Sequence, residues 1–333
     1  MVSLGAVRRA LTVIAVAGAG LILGTVPADA QPTKPARVEG DPAEPAPAEP
    51  LRAPKPKKVR RGGINPCMTP DPGFGIYDPW VSTGLGYGQI LMPHQGGVSK
   101  SGQFDVVIHF HGHEPIRKEF VKTAKGIVLV GIDLGIGSGA YQQHFSSPQT
   151  FEALLAAVEA TVSKHAGRPA KIRKLALSSW SAGYGATEDI LRQPAGKKVD
   201  AVILLDSLHT GYVDESLKTL KVDQISPFID FAKRASQKQT FMFMSHSSII
   251  PPGYASTTEV AHYVVNRLGG KPKHANRQDV LGLDMIDRFD KGNFHMRGYT
   301  GDDKPDHCAH IGLMADLIRS HLEPRWKTPR GHK

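Results

Sequence analysis

The chain has 333 residues, with 41 Lys or Arg against 31 Asp or Glu, and its formal net charge is +10 at neutral pH. The positive charge is spread along the chain and no aromatic-rich nucleic-acid motif accompanies it, so nucleic acid is not expected as a partner. After an atypical N-terminal stretch, the remaining length suits one larger domain with a substantial core.

The first 30 residues have the pattern of a secretory signal peptide. Arg8 and Arg9 precede an apolar run at 11–24, and the sequence Ala-Asp-Ala at 28–30 fits a cleavage site. The run is shorter than the ~20 residues that span a bilayer, which disfavours a membrane anchor. No Cys follows the run, which disfavours a lipoprotein. The sequence therefore predicts export to the periplasm or the extracellular space.

Residues 31–62 form a Pro-rich, basic segment with almost no large apolar side chains. Such a composition cannot offset the entropy of ordering, so we predict a disordered, extended linker. The linker ends in the basic cluster KPKKVRR at 55–61. Two interpretations stay open for this cluster: a solvated linker end, or weak contact with an anionic envelope surface.

Residues 63–333 have the composition of a globular domain, which we expect to be the catalytic domain. Cys67 and Cys308 are the two cysteines of the chain. In an exported protein an isolated pair of this kind favours a disulfide over two free thiols.

Strand patterns alternate with helix patterns through this domain. The predicted strands cover residues 104–111, 126–132, 174–179, 201–205, 240–244 and, near the end, 294–299. One predicted helix begins after Pro148, and a second follows the third strand and ends near Ile190. Two further helices cover residues 257–268 and 309–322. This alternation predicts an α/β fold with a mostly parallel sheet flanked by helices on both faces. Ligands bind such sheets beyond the carboxyl ends of the strands.

The most informative motif is the sequence S-W-S-A-G at 179–183, which lies between a predicted strand and a predicted helix. It resembles the G-x-S-x-G nucleophile elbow of the α/β-hydrolase superfamily, with Ser179 in place of the first Gly. The resemblance covers the domain in element order and implies that Ser181 is a nucleophile held on a strained turn. No subfamily is indicated.

The same resemblance implies a site for a developing oxyanion. The helix N-terminus after Ser181 supplies backbone N–H groups, beginning with Ala182. The second donor in the superfamily lies after an early strand, where His111 and Gly112 stand here. The amide of Gly112 or of His113 is the expected donor.

An acid and a base complete a triad, in the order Ser, acid, His. Asp206 ends the strand after the elbow, and the following strand offers no carboxylate, so Asp206 is the expected acid. His307, just before the last helix, is the expected base. His310 is the alternative base, and His295 is a weaker third option.

The resemblance implies hydrolysis of esters or related acyl bonds through an acyl-enzyme, without a metal or an organic cofactor. The expected partner is a small-molecule or lipid-like ester. Trp180, Tyr184 and Tyr141 are candidates for an aromatic pocket or for core packing. The segment 207–236 is either a small lid or the helix between two strands.

Two other functions stay open. One is a catalytically inactive hydrolase fold that acts as a surface binding protein. The other is a metal-dependent hydrolase, because alternate residues of a strand share one face. Its candidate ligands are His109, His111 and His113 together with His307 and His310, with Glu114 or Asp306 as the carboxylate.

Overall fold

The structure is a computed structural model that describes residues 66–216, 218–278 and 281–327. The predicted signal peptide (1–30) and linker (31–62) lie outside the described residues, and both remain predictions. No helix in the described ranges has the length and apolar character needed to cross a bilayer.

A ten-stranded sheet organises the domain, and a two-stranded hairpin lies apart from it. The strands are β1 (Val81–Ser82), β2 (Gln89–Leu91), β3 (Gln103–Phe110), β4 (Ile127–Ile132), β5 (Lys171–Trp180), β6 (Ala201–Leu205), β7 (Tyr212–Asp214), β8 (Thr219–Leu220), β9 (Phe241–His246), β10 (Lys273–Gln278), β11 (Asp284–Lys291) and β12 (Phe294–Tyr299). The order in the large sheet is β1-β2-β4-β3-β5-β6-β9-β12-β11-β10. The six strands from β4 to β12 in that order are parallel, and the strands outside them pair antiparallel.

Nine α-helices lie in the described residues. They are α1 (His113–Phe120), α2 (Ser138–Phe145), α3 (Pro148–Ala166), α4 (Tyr184–Arg192), α5 (Val222–Ser236), α6 (Thr257–Arg267), α7 (Lys304–Ala309), α8 (Leu313–Leu317) and α9 (Glu323–Trp326). The predicted continuous helix at 309–322 is wrong in detail. A 3-10 turn at His310–Gly312 precedes α8, and a π-helical turn at Ile318–Leu322 follows it.

Local sequence signals account for the ends of the long helices. Helix α3 begins with Pro148, whose fixed φ suits a first helical turn, and Gly167 ends it in the left-handed conformation. Helix α6 begins with a capping box, in which Ser256 and Glu259 each satisfy the other's backbone N–H. These signals set where helix changes to loop, and thus which residues stand at the strand ends.

The core has two parts, one on each face of the sheet. Val106, Ile108 and Phe110 of β3 pack in one part, and Val107 packs in the other, as the two-residue period of a strand requires. Helices α2 to α6 cover the first part, and α1, α8 and their neighbours cover the second. The predicted fold class, a mostly parallel sheet with helices on both faces, is confirmed.

Candidate active site

Strand β5 ends in a sharp turn that carries Ser181. Trp180 has an extended backbone, Ser181 has a φ of 50° in the left-handed region, and a 3-10 turn leads into α4. A non-glycine residue is rarely found there, and strain of this kind concentrates at functional sites. The turn also requires small neighbours, since a Cβ on Gly183 would collide with the carbonyl of Phe110.

Ser179 fills the position where the superfamily pattern has its first Gly. Its side chain is buried and its Oγ lies 2.9 Å from the Oγ of Ser207. The Ser207 hydroxyl in turn donates to the carbonyl of Ser181 at 2.8 Å. The departure from the pattern therefore adds a hydrogen-bonded link that fixes the turn.

Asp206 and His307 meet across 101 residues of chain. Asp206 follows the end of β6, and its Oδ2 lies 2.6 Å from Nδ1 of His307 in α7. The Nε2 atom of His307 has no hydrogen bond within the described part of the chain. Ser181, Asp206 and His307 line one cavity of about 280 Å³. The structure thus brings together the three residues that the sequence proposed as nucleophile, acid and base.

Asp206 is held as a carboxylate in a buried position. Burial opposes its ionisation, but the imidazoles of His310 and His307 and the hydrogen bonds to its oxygens hold the pKa of Asp206 well below its usual range. Its Oδ1 accepts from the amide of Ser247 at 2.8 Å and from the hydroxyl of Thr257 at 2.7 Å. Sequence reasoning did not identify these two partners.

His310, the alternative base, is fully buried beneath the site. Its Nδ1 lies 2.8 Å from the Oγ of Ser245, and burial lowers the pKa of His310 to about 4. It is absent from the lining of the cavity that holds Ser181. His295 lies on β12 and contacts Asp290, so it is also outside that lining. The geometry favours His307 as the base.

Two of the expected oxyanion donors already have an acceptor. The amides of Gly112 and His113 donate to the carboxylate of Asp133, at 2.6 and 3.4 Å, and the His113 ring binds the same carboxylate. Asp133 directly follows β4, the strand beside β3, and the His113 contact helps to lower its pKa to about 2 although burial opposes this. The expectation for Gly112 and His113 therefore disagrees with the structure. Ala182 lies at the start of the turn and lines the larger cavity described below.

The three alternating histidines do not form a metal cluster. His109 is buried in β3 and contacts Ser178 and the carbonyl of His111. The backbone then turns, with a φ of 72° at His111, whose ring contacts Tyr141. His113 begins α1. Since the strand ends at Phe110, the shared strand face on which the metal alternative depended does not exist.

A second, larger cavity of about 450 Å³ adjoins Ser181. Polar side chains supply much of its lining. The residues that line it are Ile136, Gly137, Ser138, Gln142, Ser181, Ala182, Tyr184, Glu188, His209, Thr210, Gly211, Gln224 and Tyr254. Tyr184 is therefore a pocket residue, whereas Tyr141 is buried in the core. The segment 207–236, for which a lid and a connecting helix were both open, contains the β7–β8 hairpin and α5, and its first residues border this cavity.

No family model and no curated protein matches the chain. Solved structures do resemble it. An acylaminoacyl peptidase from Pyrococcus horikoshii is 11% identical, with a TM-score of 0.40 over 73% of this chain and 40% of that one. An enterobactin esterase from Shigella flexneri is 10% identical, with a TM-score of 0.44 over 72% of this chain and 56% of that one. A feruloyl esterase module from Clostridium thermocellum is 11% identical, with a TM-score of 0.44 over 78% and 93% of the two chains.

The chain therefore spans 40% and 56% of the length of the first two of these proteins. Its own topology defines the class. A parallel sheet carries a left-handed Ser at the strand-to-helix turn after β5, then an acid after the next strand and a His near the C-terminus. This is the α/β-hydrolase fold, as the resemblance predicted. The subfamily is not identified.

Proposed function

We propose that the chain is an exported serine hydrolase that cleaves carboxylic esters or related acyl bonds through an acyl-enzyme on Ser181. One observation carries the proposal. A strained Ser on the elbow and a hydrogen-bonded His307–Asp206 pair line the same cavity, although 126 residues separate Ser181 from His307. Nucleophile, base and orienting acid are the parts that such catalysis needs.

Each residue has a defined part in the proposed reaction. Nε2 of His307 takes the hydroxyl proton of Ser181 while Oγ attacks the ester carbonyl. The carboxylate of Asp206 holds Nδ1 and stabilises the imidazolium that forms. His307 then protonates the leaving alcohol, and water repeats the sequence to release the acid. The amide of Ala182 is the proposed donor to the oxyanion.

The larger cavity supports a polar or aromatic acyl group over a long aliphatic one. The side chain of Gln142 donates to the buried carboxylate of Glu188 at 3.0 Å, and Arg192 holds the other oxygen of that carboxylate. An alkyl chain placed in this cavity would contact charged and amide groups that already hydrogen-bond one another, so it would gain little apolar contact there. Tyr184 and Tyr254 add ring surface to the same cavity. A series of p-nitrophenyl esters of increasing acyl length should therefore show declining kcat/KM beyond short chains.

Two features support export. One is the predicted signal peptide, and the other is the disulfide between Cys67 and Cys308, whose Cα atoms lie 6.1 Å apart. The predicted cysteine pairing is thus present in the structure. Disulfides of this kind persist in oxidising compartments.

The decisive experiment compares Ser181→Ala with Ser179→Ala. The first variant should lose fluorophosphonate labelling and nearly all ester hydrolysis, by up to ~10⁶-fold in kcat if the residue acts as a triad nucleophile. The second should lose one buried hydrogen bond and retain labelling, so it is the matched control. Labelling that persists in Ser181→Ala would refute the assignment. A folded wild-type chain that neither labels nor hydrolyses would instead indicate a binding protein.

A further inference from the structure

A second cluster of histidine and carboxylate groups lies toward the β10 edge of the large sheet, opposite the β1 edge. His246 ends β9, His262 lies on α6 and Asp287 lies on β11. One ligand atom from each residue lies within 4.8 Å of the other two. Nε2 of His246 is 3.0 Å from Oδ1 of Asp287, and Nε2 of His262 is 2.7 Å from Oδ2.

The sheet is built so that His246 and Asp287 can meet. They lie on strands that are two positions apart, and each is in register with Gly298 on the strand between them. Neighbouring strands are about 4.8 Å apart, so an intervening side chain would separate the pair. A Cβ on Gly298 would collide with the His246 ring and with Oδ1 of Asp287. A β-bulge between Met285 and Asp287 sets the register of Asp287.

Hydrogen-bond accounting fixes where the proton of His246 lies. Thr258 has one hydroxyl proton, and it donates this proton to the carbonyl of Ser247 at 2.6 Å. The same Oγ1 lies 2.8 Å from Nδ1 of His246 and therefore accepts there, so Nδ1 carries the hydrogen. In the neutral imidazole the Nε2 lone pair then faces a carboxylate oxygen.

Two lone pairs that face each other at 3.0 Å need a cation between them. The side chain of His246 is fully buried and that of Asp287 is 13% exposed, so this junction has little access to water. A divalent metal ion would bind the Nε2 atoms of both histidines and the carboxylate together.

The donor set identifies the kind of ion. Two imidazole nitrogens and one carboxylate suit Zn²⁺ or a similar borderline ion, whereas Mg²⁺ and Ca²⁺ prefer oxygen ligands. Zinc–ligand distances of about 2.1 Å in tetrahedral geometry place ligand atoms roughly 3.3 Å apart, so small side-chain movements would suffice. The Nδ1 contact of His246 to Thr258 supplies the outer hydrogen bond that orients a metal-binding imidazole.

We propose that His246, His262 and Asp287 bind one divalent metal ion of the zinc type. The side chain of His262 is 38% exposed, which leaves a path from solvent and room for a water ligand. The ion would join β9, β11 and α6. Its role is structural, because His246 lies between Ser245 and Ser247, which both hydrogen-bond Asp206. The site is separate from the cavity of Ser181 and does not depend on the proposed hydrolysis.

The test is zinc binding by the untagged full chain after treatment with a chelator. Calorimetric titration with ZnCl₂ should give one equivalent per chain, and zinc but not MgCl₂ should raise the melting temperature. His262→Ala and Asp287→Asn should each weaken zinc binding at least 10-fold and abolish the thermal shift. His262→Ala removes a partly exposed helix residue, so it should fold even where Asp287→Asn does not.

Asp290→Asn is the matched control. Asp290 also lies on β11 and contacts a histidine on β12, with Oδ1 2.6 Å from Nδ1 of His295, so the variant changes the same charge nearby. It should bind zinc as tightly as wild type. Three results would overturn the proposal. The wild-type chain does not bind zinc, His262→Ala binds zinc as tightly as wild type, or His307→Ala loses zinc binding instead. The first two of these results would leave the three groups as a hydrogen-bonded cluster that joins helix and sheet.

Discussion

At the scale of single residues, Trp180 connects the nucleophile to the base. Its ring lies between the imidazoles of His111, at 5.1 Å, and His307, at 4.7 Å between centroids. Its Nε1 also donates to the carbonyl of His307 at 3.0 Å. Trp180 therefore holds both the ring and the backbone of the proposed base, and an aromatic face stabilises an imidazolium that forms there.

Graded substitution of Trp180 should separate these contacts. Trp180→Phe keeps a ring and loses the hydrogen bond, so we expect a decrease in kcat of about 5-fold, as for a bond worth about 1 kcal/mol. Trp180→Leu loses both contacts and should lower kcat further, while KM changes less. Steady-state kinetics with a short-chain p-nitrophenyl ester measures both. Wild-type kcat in Trp180→Leu would show that the ring has no positioning role.

A second prediction at the scale of single residues concerns the proposed acid and base. Asp206→Asn removes the charge that orients His307 and should lower kcat by roughly 10⁴-fold, as in other triads. Replacing His307 by Ala should be about as damaging as Ser181→Ala. Replacing His310, which lies outside the cavity lining, should cost less activity and more stability. A reversed order of the two histidine variants in the ester assay would transfer the role of base to His310.

The three proposed triad residues could be found from the sequence because each directly follows a strand or precedes a helix with a clear pattern. Asp133 could not be assigned in the same way. It also follows a strand, but its role depends on β4 lying beside β3, which periodicity does not specify. That adjacency brings its carboxylate to the amides of Gly112 and His113. The proposed metal site was missed for a related reason, since His246 and Asp287 meet through sheet register and His262 joins them from helix α6.

At the scale of elements, buried structure was predictable and exposed structure was not. Strand β6 has the predicted bounds, β4 begins one residue later than predicted, and α3 begins at the predicted start signal, because continuous apolar runs or helical spacing mark them. Strands β10 and β11 carry mostly polar residues and have no such pattern. Strand β12 pairs parallel with β9 and antiparallel with β11. It therefore joins the parallel core of the sheet to the antiparallel strands β11 and β10. Pairing across the sheet, more than local propensity, forms these two strands.

The disulfide gives the prediction for an element. Cys67 lies at the start of the described residues, and Cys308 follows His307 in α7. The bridge therefore ties the N-terminal segment to the helix that carries the proposed base. The double variant that carries Cys67→Ser and Cys308→Ser should have a free energy of unfolding about 2–4 kcal/mol lower than that of the wild type.

Turnover should respond before the fold does. As reductant is raised with the wild-type chain, ester hydrolysis should fall while the far-UV circular dichroism stays unchanged, since positioning of His307 tolerates little movement. The double Ser variant is the control, because reductant should not affect it further. Simultaneous loss of activity and secondary structure would show that the bridge acts only on global stability.

At the scale of the whole molecule, buried histidines couple stability to pH. Burial lowers the pKa of His109 to about 3, and the residue lies near the carboxyl end of β3 with both ring nitrogens hydrogen-bonded. In the unfolded chain a histidine titrates near ~6.5. Between these values the unfolded state binds a proton that the native state excludes. The stabilisation is therefore complete above about pH 6.5 and is lost as the pH falls toward 3.

Denaturant unfolding at pH 7 and pH 5 should show this loss. One such group contributes up to about 1.4 kcal/mol per pH unit in that window, and His310, with a pKa lowered to about 4, adds a second contribution. His109→Gln cannot titrate, so it should be less stable than wild type at pH 7 and lose less stability between pH 7 and pH 5. His274→Gln, a change at an exposed position on β10, should keep the wild-type slope. The range stops at pH 5 because carboxylates dominate the proton balance below it. If His109→Gln and wild type lose equal stability over these two pH units, the buried imidazole of His109 is not a source of the pH dependence.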